Sequence, residues 1–358
     1  MKPLSLLRAV AWTGLITFVL GMQAALAAPL VYVPLGGAGK ILVVDAANDK
    51  IVGAIGGVAA VHGLAGTPDG QFLIAGSLKK HAAGGQAVAK PAGVSKAEHA
   101  AHHGAMPAGA QKNGAVVSTL SVIRTADRSI VRRIDVPGAV HHVAVSPNGR
   151  FAVVTYPGKG GIGAIDLASY KVITTLSTGP MPNYAVFSPD GGRVYVSNAG
   201  NGTISEVDTK RWIIRRNIVA GSKPEHMVLS HDGQRLYVAN VGDGTVSEIV
   251  TKNGKTMRTF NIGGPLHGID LSKDGRTLFI SARGQDKLVA ITLRTAEKRE
   301  GALVPAPYHL ASIGNTGKLY VSSAGQPIVW VVNQKDLGVL KEIPIGGKGH
   351  QMVVSPGS

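Results

Sequence analysis

The sequence predicts an all-β fold, a seven-bladed β-propeller with four antiparallel strands per blade, in which the last strand of the chain completes the first blade. Three observations carry this. A turn tetrapeptide recurs at Thr67–Gly70, Ser146–Gly149, Ser188–Gly191, Ser230–Gly233 and Ser272–Gly275, with a weaker copy ending at Gly317. From Gly149 to Gly317 its period is 42 residues at every step. Each period holds four short runs rich in β-branched and aromatic residues, separated by Gly, Asn, Asp and Pro.

The elements follow in order. Residues 1–27 read as a secretory leader. Lys2 and Arg8 precede an apolar run, Ala9 to Leu20, and Ala25-Leu26-Ala27 is a small-residue cleavage site. The mature chain, 28–358, is expected in the periplasm or secreted, and it contains no further apolar run long enough to span a membrane. The first blade opens at "LVYVP" (30–34). Equivalent strands lie near Phe72, Phe151, Val194, Leu236, Leu278 and Leu319. In the fourth unit "RVYVS" (193–197), "TISEVD" (203–208) and "WIIRRNIV" (212–219) form successive strands, and "EHMVLS" (225–230) begins the next unit. Asp-Gly supplies the positive φ of the hairpin turns. The terminal "HQMVVSPGS" (350–358) is the strand that the first unit lacks, so the ring closes without an open edge. Gly70 to Gly149 spans 79 residues, which places one insertion at about 79–116.

The stretches "SPDGGRVYVSNAGNGTISEVDT" (188–209) and "HDGQRLYVANVGDGTVSEI" (231–249) resemble the YVTN-family repeat of exported bacterial propellers. The Tyr-Val-x-Asn signature is kept at Tyr195–Asn198 and Tyr237–Asn240 and degraded at 279–282 and 320–323. The resemblance implies the propeller fold. It leaves function open, because one fold hosts many activities.

The strand innermost in such a propeller starts at His62, His141, Asn183, Glu225, His267, His309 and His350, each five residues before the turn Ser/Thr or its equivalent. The next position adds His142 and His226. Seven equivalent positions in seven blades form a ring, so the sequence predicts a channel mouth lined with imidazole. Two readings compete. In one the rings bond backbone carbonyls of adjoining blades or project into solvent. In the other, neutral imidazoles converging on one axis hold copper, zinc or haem iron. The ring, with its adjacent pair His141-His142, resembles the catalytic copper centre of nitrous-oxide reductases. The cysteine-bearing copper domain of those enzymes is absent, so that activity is not expected. Ligation by ordinary imidazoles would weaken as pH falls through about 6.5.

The insertion "HAAGGQAVAKPAGVSKAEHAAHHGAMPAGAQKNG" (81–114) is too poor in large apolar residues to build a core. Ser95 and Glu98 suit the cap of a short helix, which would bring His99 onto one face with His102 and His103, and Met106 adds a sulfur ligand. Its place between the second and third strands of the second blade puts it on the face where the histidines begin. It reads either as a solvated loop or as a lid over the ring.

There is no cysteine, which excludes disulfides, thiolate metal sites and cysteine nucleophiles. The formal charge is +16, two less once Lys2 and Arg8 are removed, and favours an anionic partner such as nucleic acid or a cell-surface polyanion. The basic clusters Arg132-Arg133, Arg211 with Arg215-Arg216, Lys255 with Arg258, and Lys298-Arg299 fall on outer strands, where they would guard sheet edges. Only Trp212 and Phe260 interleave them, too few aromatics for a base-stacking groove. Glu206 and Glu248 are expected on blade surfaces, and Glu225 beside His226 suits an acid–base pair. No nucleophile elbow, phosphate loop or His-Glu-x-x-His occurs. The leading expectation is therefore a non-enzymatic binding propeller that takes up a transition metal or metal cofactor. A polyanion-binding scaffold stands second, and a lactonase-like or oxidoreductase enzyme third.

Overall fold

The recurring tetrapeptide is a hydrogen-bonded device. In the computed structural model, which describes residues 29–83 and 116–355, Ser188 Oγ donates to Asp190 Oδ1 and accepts from Arg193 N at 3.0 Å. The Asp190 carboxylate also accepts from Gly192 N, and Gly191 takes φ +67°. Gly supplies that left-handed conformation without steric cost. The same arrangement recurs from Thr67, Ser146, Ser230 and Ser272. The Asn of Tyr-Val-x-Asn has an equally local reason. Asn198 donates to Thr203 and Ser205 on the next strand, and Asn240 to Thr245 and Ser247.

These hairpins build seven four-stranded antiparallel sheets. In blade 4 the strands are Pro182–Phe187, Arg193–Asn198, Thr203–Asp208 and Ile213–Val219, within a residue of the sequence reading. Each innermost strand packs on that of the next blade, and the series closes into a ring. Val353–Val354 pairs with Leu30–Leu35 and so completes blade 1. The only helical segments among the described residues are four three-residue turns. None of the described helices is long and apolar enough to cross a membrane. Residues 84–115, between Phe72–Ala82 and Val116–Arg124, lie outside the described residues, as do 1–28 and 356–358.

The core is not central. Each of seven apolar clusters lies between two adjacent blades; Val194 and Val196, for example, pack with Val153 and Ile162 of the preceding blade. The third strand of a blade is therefore buried on both faces, and this corrects two sequence expectations. Glu206 and Glu248, expected on blade surfaces, are each 2% exposed. They are compensated by arginines of the strands on either side: Arg216 of the outer strand and Arg193 of the second approach Glu206 at 2.6 and 3.1 Å, and Arg258 and Arg235 bind Glu248 in the same way. Arg216 and Arg258 also donate to the carbonyls of Thr251 and Leu293 in the following blade. Much of the basic excess thus ties blade to blade rather than only guarding edges. Arg216→Met leaves a buried carboxylate short of a partner and should cost about 2–3 kcal/mol, whereas Glu206→Gln, which frees guanidiniums to reach water, should cost about half as much. Urea unfolding of both variants measures the contrast; equal costs would contradict this clamp.

Candidate metal centre

The inner strands are irregular where they meet the channel. Register breaks fall between Val61 and Gly63, Pro182 and Ala185, Pro224 and Met227, and Pro307 and Leu310. A bulge turns two consecutive residues toward one face, so positions next to the predicted ring also reach the axis. A hydroxyl of the second strand pins the start of the inner strand in four blades. Thr155 Oγ1 accepts from His142 N at 3.0 Å and donates to Asn183 O of the next blade at 2.9 Å. Ser197, Ser281 and Ser322 occupy the equivalent position. At Gly63 and Gly268 a Cβ would come within 2.8 Å of His141 O and 2.6 Å of Tyr308 O, so only glycine fits there.

The seven ring histidines are brought together. His62 lies 4.4 Å from His141 and 4.3 Å from His350 between ring centroids. His142 is 4.5 Å from His141 and 4.8 Å from His226. His226 is 4.3 Å from His267, which is 4.6 Å from His309. All are buried except His141 and His350, which are half-buried. The sequence predicted rings lining a mouth; they instead pack against one another within the channel.

Their hydrogen bonds fix the tautomers. His62 Nδ1 donates to His141 O at 2.8 Å, His141 Nδ1 to Asn183 O at 3.4 Å, and His142 Nδ1 to Gln351 Oε1 at 3.1 Å. Each therefore carries its lone pair on Nε2. His142 Nε2, both His226 nitrogens and His350 Nδ1 are buried without a hydrogen-bond partner. Buried nitrogens left unsatisfied are costly unless something binds them. Three trios place one ligand atom from each residue within 4.8 Å of the others: His62, His141, His142; His226, His267, His309; and His62, His309, His350. This donor set fits a transition metal.

Electrostatics keep the rings neutral. Burial first, then neighbouring His141 and His350, lowers His62 to about 2. Burial lowers His226 to about 3, and burial with Lys348 lowers His350 to about 4. His141, His142, His267 and His309 are lowered chiefly by burial. The sequence expectation of ligands lost near pH 6.5 is thus corrected, because burial holds these nitrogens unprotonated well below that value.

Of the two non-histidine ring positions, Glu225 places Oε2 3.7 Å from His267 Nδ1, and Asn183 offers its backbone carbonyl to His141. The sequence reading missed Tyr184 and Gln351, one position after the ring residues, and Tyr308, one before. Tyr184 packs 4.8 Å from His142, and Tyr308 stacks on His267 at 3.8 Å. A bulge expected from the Pro at 182, 224 and 307 would have shown them. His81 binds Thr119 instead, away from the cluster. His99, His102, His103 and Met106 lie outside the described residues.

No protein-family model and no curated protein matches the chain. Solved structures do. A dihydro-heme d1 dehydrogenase aligns with a TM-score of 0.63 at 12% identity over 88% of this chain and 63% of its own. The periplasmic gluconolactonase of Pseudomonas aeruginosa gives 0.70 at 15% identity over 92% and 99%. The hydrazine synthase of Kuenenia stuttgartiensis gives 0.66 at 16% over 90% and 100%. At these identities the likeness establishes the propeller fold. The chain spans less than two thirds of the dehydrogenase. The non-enzymatic binding protein expected from sequence is not supported and is withdrawn, because these propellers carry the names of enzymes.

Proposed function

We propose that this chain is an exported oxidoreductase of the YVTN-repeat type whose centre is a copper site held by the channel histidines. The observation that carries the proposal is the convergence of neutral imidazoles, three of them with fixed tautomers, around unpartnered ring nitrogens. Imidazole donors without thiolate suit the later first-row metals, among which copper binds nitrogen most strongly. A calcium-dependent lactonase would need a shell of oxygen ligands, and Glu225 is the one carboxylate at the ring positions. The trios His62–His141–His142 and His226–His267–His309 share no residue, so the channel offers two separate three-nitrogen donor sets. When bound, copper supplies one-electron redox chemistry at a substrate reaching the half-exposed side near His141 and His350. The chain's own groups hold and shield it. Gln351 and the carbonyls of His141 and Asn183 orient the rings, and Tyr184 and Tyr308 exclude water from their flanks.

The test is spectroscopic. Protein made without a polyhistidine tag and loaded with copper should lose its Cu(II) signal on anaerobic reduction and regain it on reoxidation by a diffusible oxidant. Zinc-loaded protein should be redox-silent. Failure to retain copper through desalting, or turnover of gluconolactone by metal-free protein, would overturn the reading.

A further inference from the structure

We infer that the mouth beside Tyr308 selects a small anionic substrate, held by Arg283 and Lys348 against the copper centre proposed above, on which this inference rests. His267 covers one face of the Tyr308 ring at 3.8 Å. Lys348 Nζ lies 4.3 Å and Arg283 Cζ 5.5 Å from the same ring centroid, so both cations rest against this one aromatic ring. Both side chains are exposed. Neither forms an ion pair with a carboxylate among the described residues. Glu225, the nearest acid to the cluster, is turned to His267 at 3.7 Å. Tyr308 therefore gathers two like charges at the edge of the imidazoles, and Glu225, which faces Arg283 and Tyr308, is the single acid set against them.

Cation–π contact explains how one aromatic ring can hold both groups. It does not explain why two cations stand where copper would add more positive charge. Neutral imidazoles cancel none of a metal's charge, so a centre built from them alone attracts an anion to complete its shell. Arg283 and Lys348 place a guanidinium and an ammonium at the point of entry, the first suited to planar oxyanions and the second a compact point charge. A neutral substrate would gain nothing from either. The ligand class is therefore a monoanion of a few atoms, such as nitrite, azide or a short carboxylate.

The experiment titrates copper-loaded protein with sodium azide and follows the azide-to-Cu(II) charge-transfer band, with copper content measured in each sample. R283Q and K348Q should each raise the Kd about 3-fold and the double variant about 10-fold, with copper content unchanged. Raising ionic strength should narrow the gap between wild type and variants. Equal azide affinity in wild type and the double variant at equal copper content would overturn the inference. If copper does not load, the function proposed above fails by itself. The anion site is then read in metal-free protein by NMR titration with sodium nitrite, where shifts at His267 and His350 that vanish in the double variant support it and their absence in wild type overturns it.

Discussion

Replacing His62 and His309 together with asparagine should strip the protein of copper, lowering affinity by more than about 100-fold. These two residues each belong to two of the three trios, so the double change leaves no trio intact. Loss of outer hydrogen-bond partners alone typically costs 10- to 100-fold in metal affinity, so loss of direct ligands should exceed it. His350→Asn is the informative contrast. It breaks only the trio His62–His309–His350 and leaves the two disjoint ones whole. That variant should keep both ions with a smaller loss of affinity. Far-ultraviolet circular dichroism checks that each variant remains all-β. Copper retained at wild-type stoichiometry by a folded H62N/H309N protein would exclude these imidazoles as the centre.

Metal-free protein should unfold on acidification. An unfolded histidine takes a proton near pH 6.5, whereas His62, His226 and His350 stay neutral in the folded state down to about 2, 3 and 4. Between those limits the unfolded chain binds more protons, so stability falls as pH falls. Each such group contributes about 1.4 kcal/mol per pH unit, and three together about 4. A net stability of 5–15 kcal/mol is exhausted within about one to four units at that slope, which places acid unfolding between about pH 5 and pH 3. His226→Gln removes one titrating group and should flatten the slope by about one proton. Urea unfolding from pH 7.5 to 4.5 reads it directly; a flat profile across that interval would contradict the buried neutral cluster.

The fold was legible because its local chemistry repeats. The Ser-Pro-Asp-Gly turn and the Tyr-Val-x-Asn strand each satisfy their own hydrogen bonds within a blade, so each copy announces itself in the sequence. The five ring histidines at constant offset from the turn, with His142 and His226 beside them, were legible for the same reason. Interactions between blades were not. A strand with Glu206 among alternating apolar residues reads as having one wet face, but the neighbouring blade covers it and Arg216 must follow. Gln351 was hidden because only a bent inner strand brings it to His142. Arg283 and Lys348 stand in connections that recur in other blades with other residues, such as Val241 and Pro307 at the matching places, so no periodicity marks them. Function lay furthest from reach, because repeats specify an architecture while the site depends on which side chains that architecture happens to gather.

The central claim is that the propeller axis, and not the 84–115 segment, holds the metal. An anomalous difference map collected at the copper edge from tag-free, copper-loaded crystals tests it most directly. The account predicts two peaks within the channel, one at His62, His141 and His142 and the other at His226, His267 and His309. Peaks only at His99, His102, His103 or Met106, with none on the axis, would contradict it.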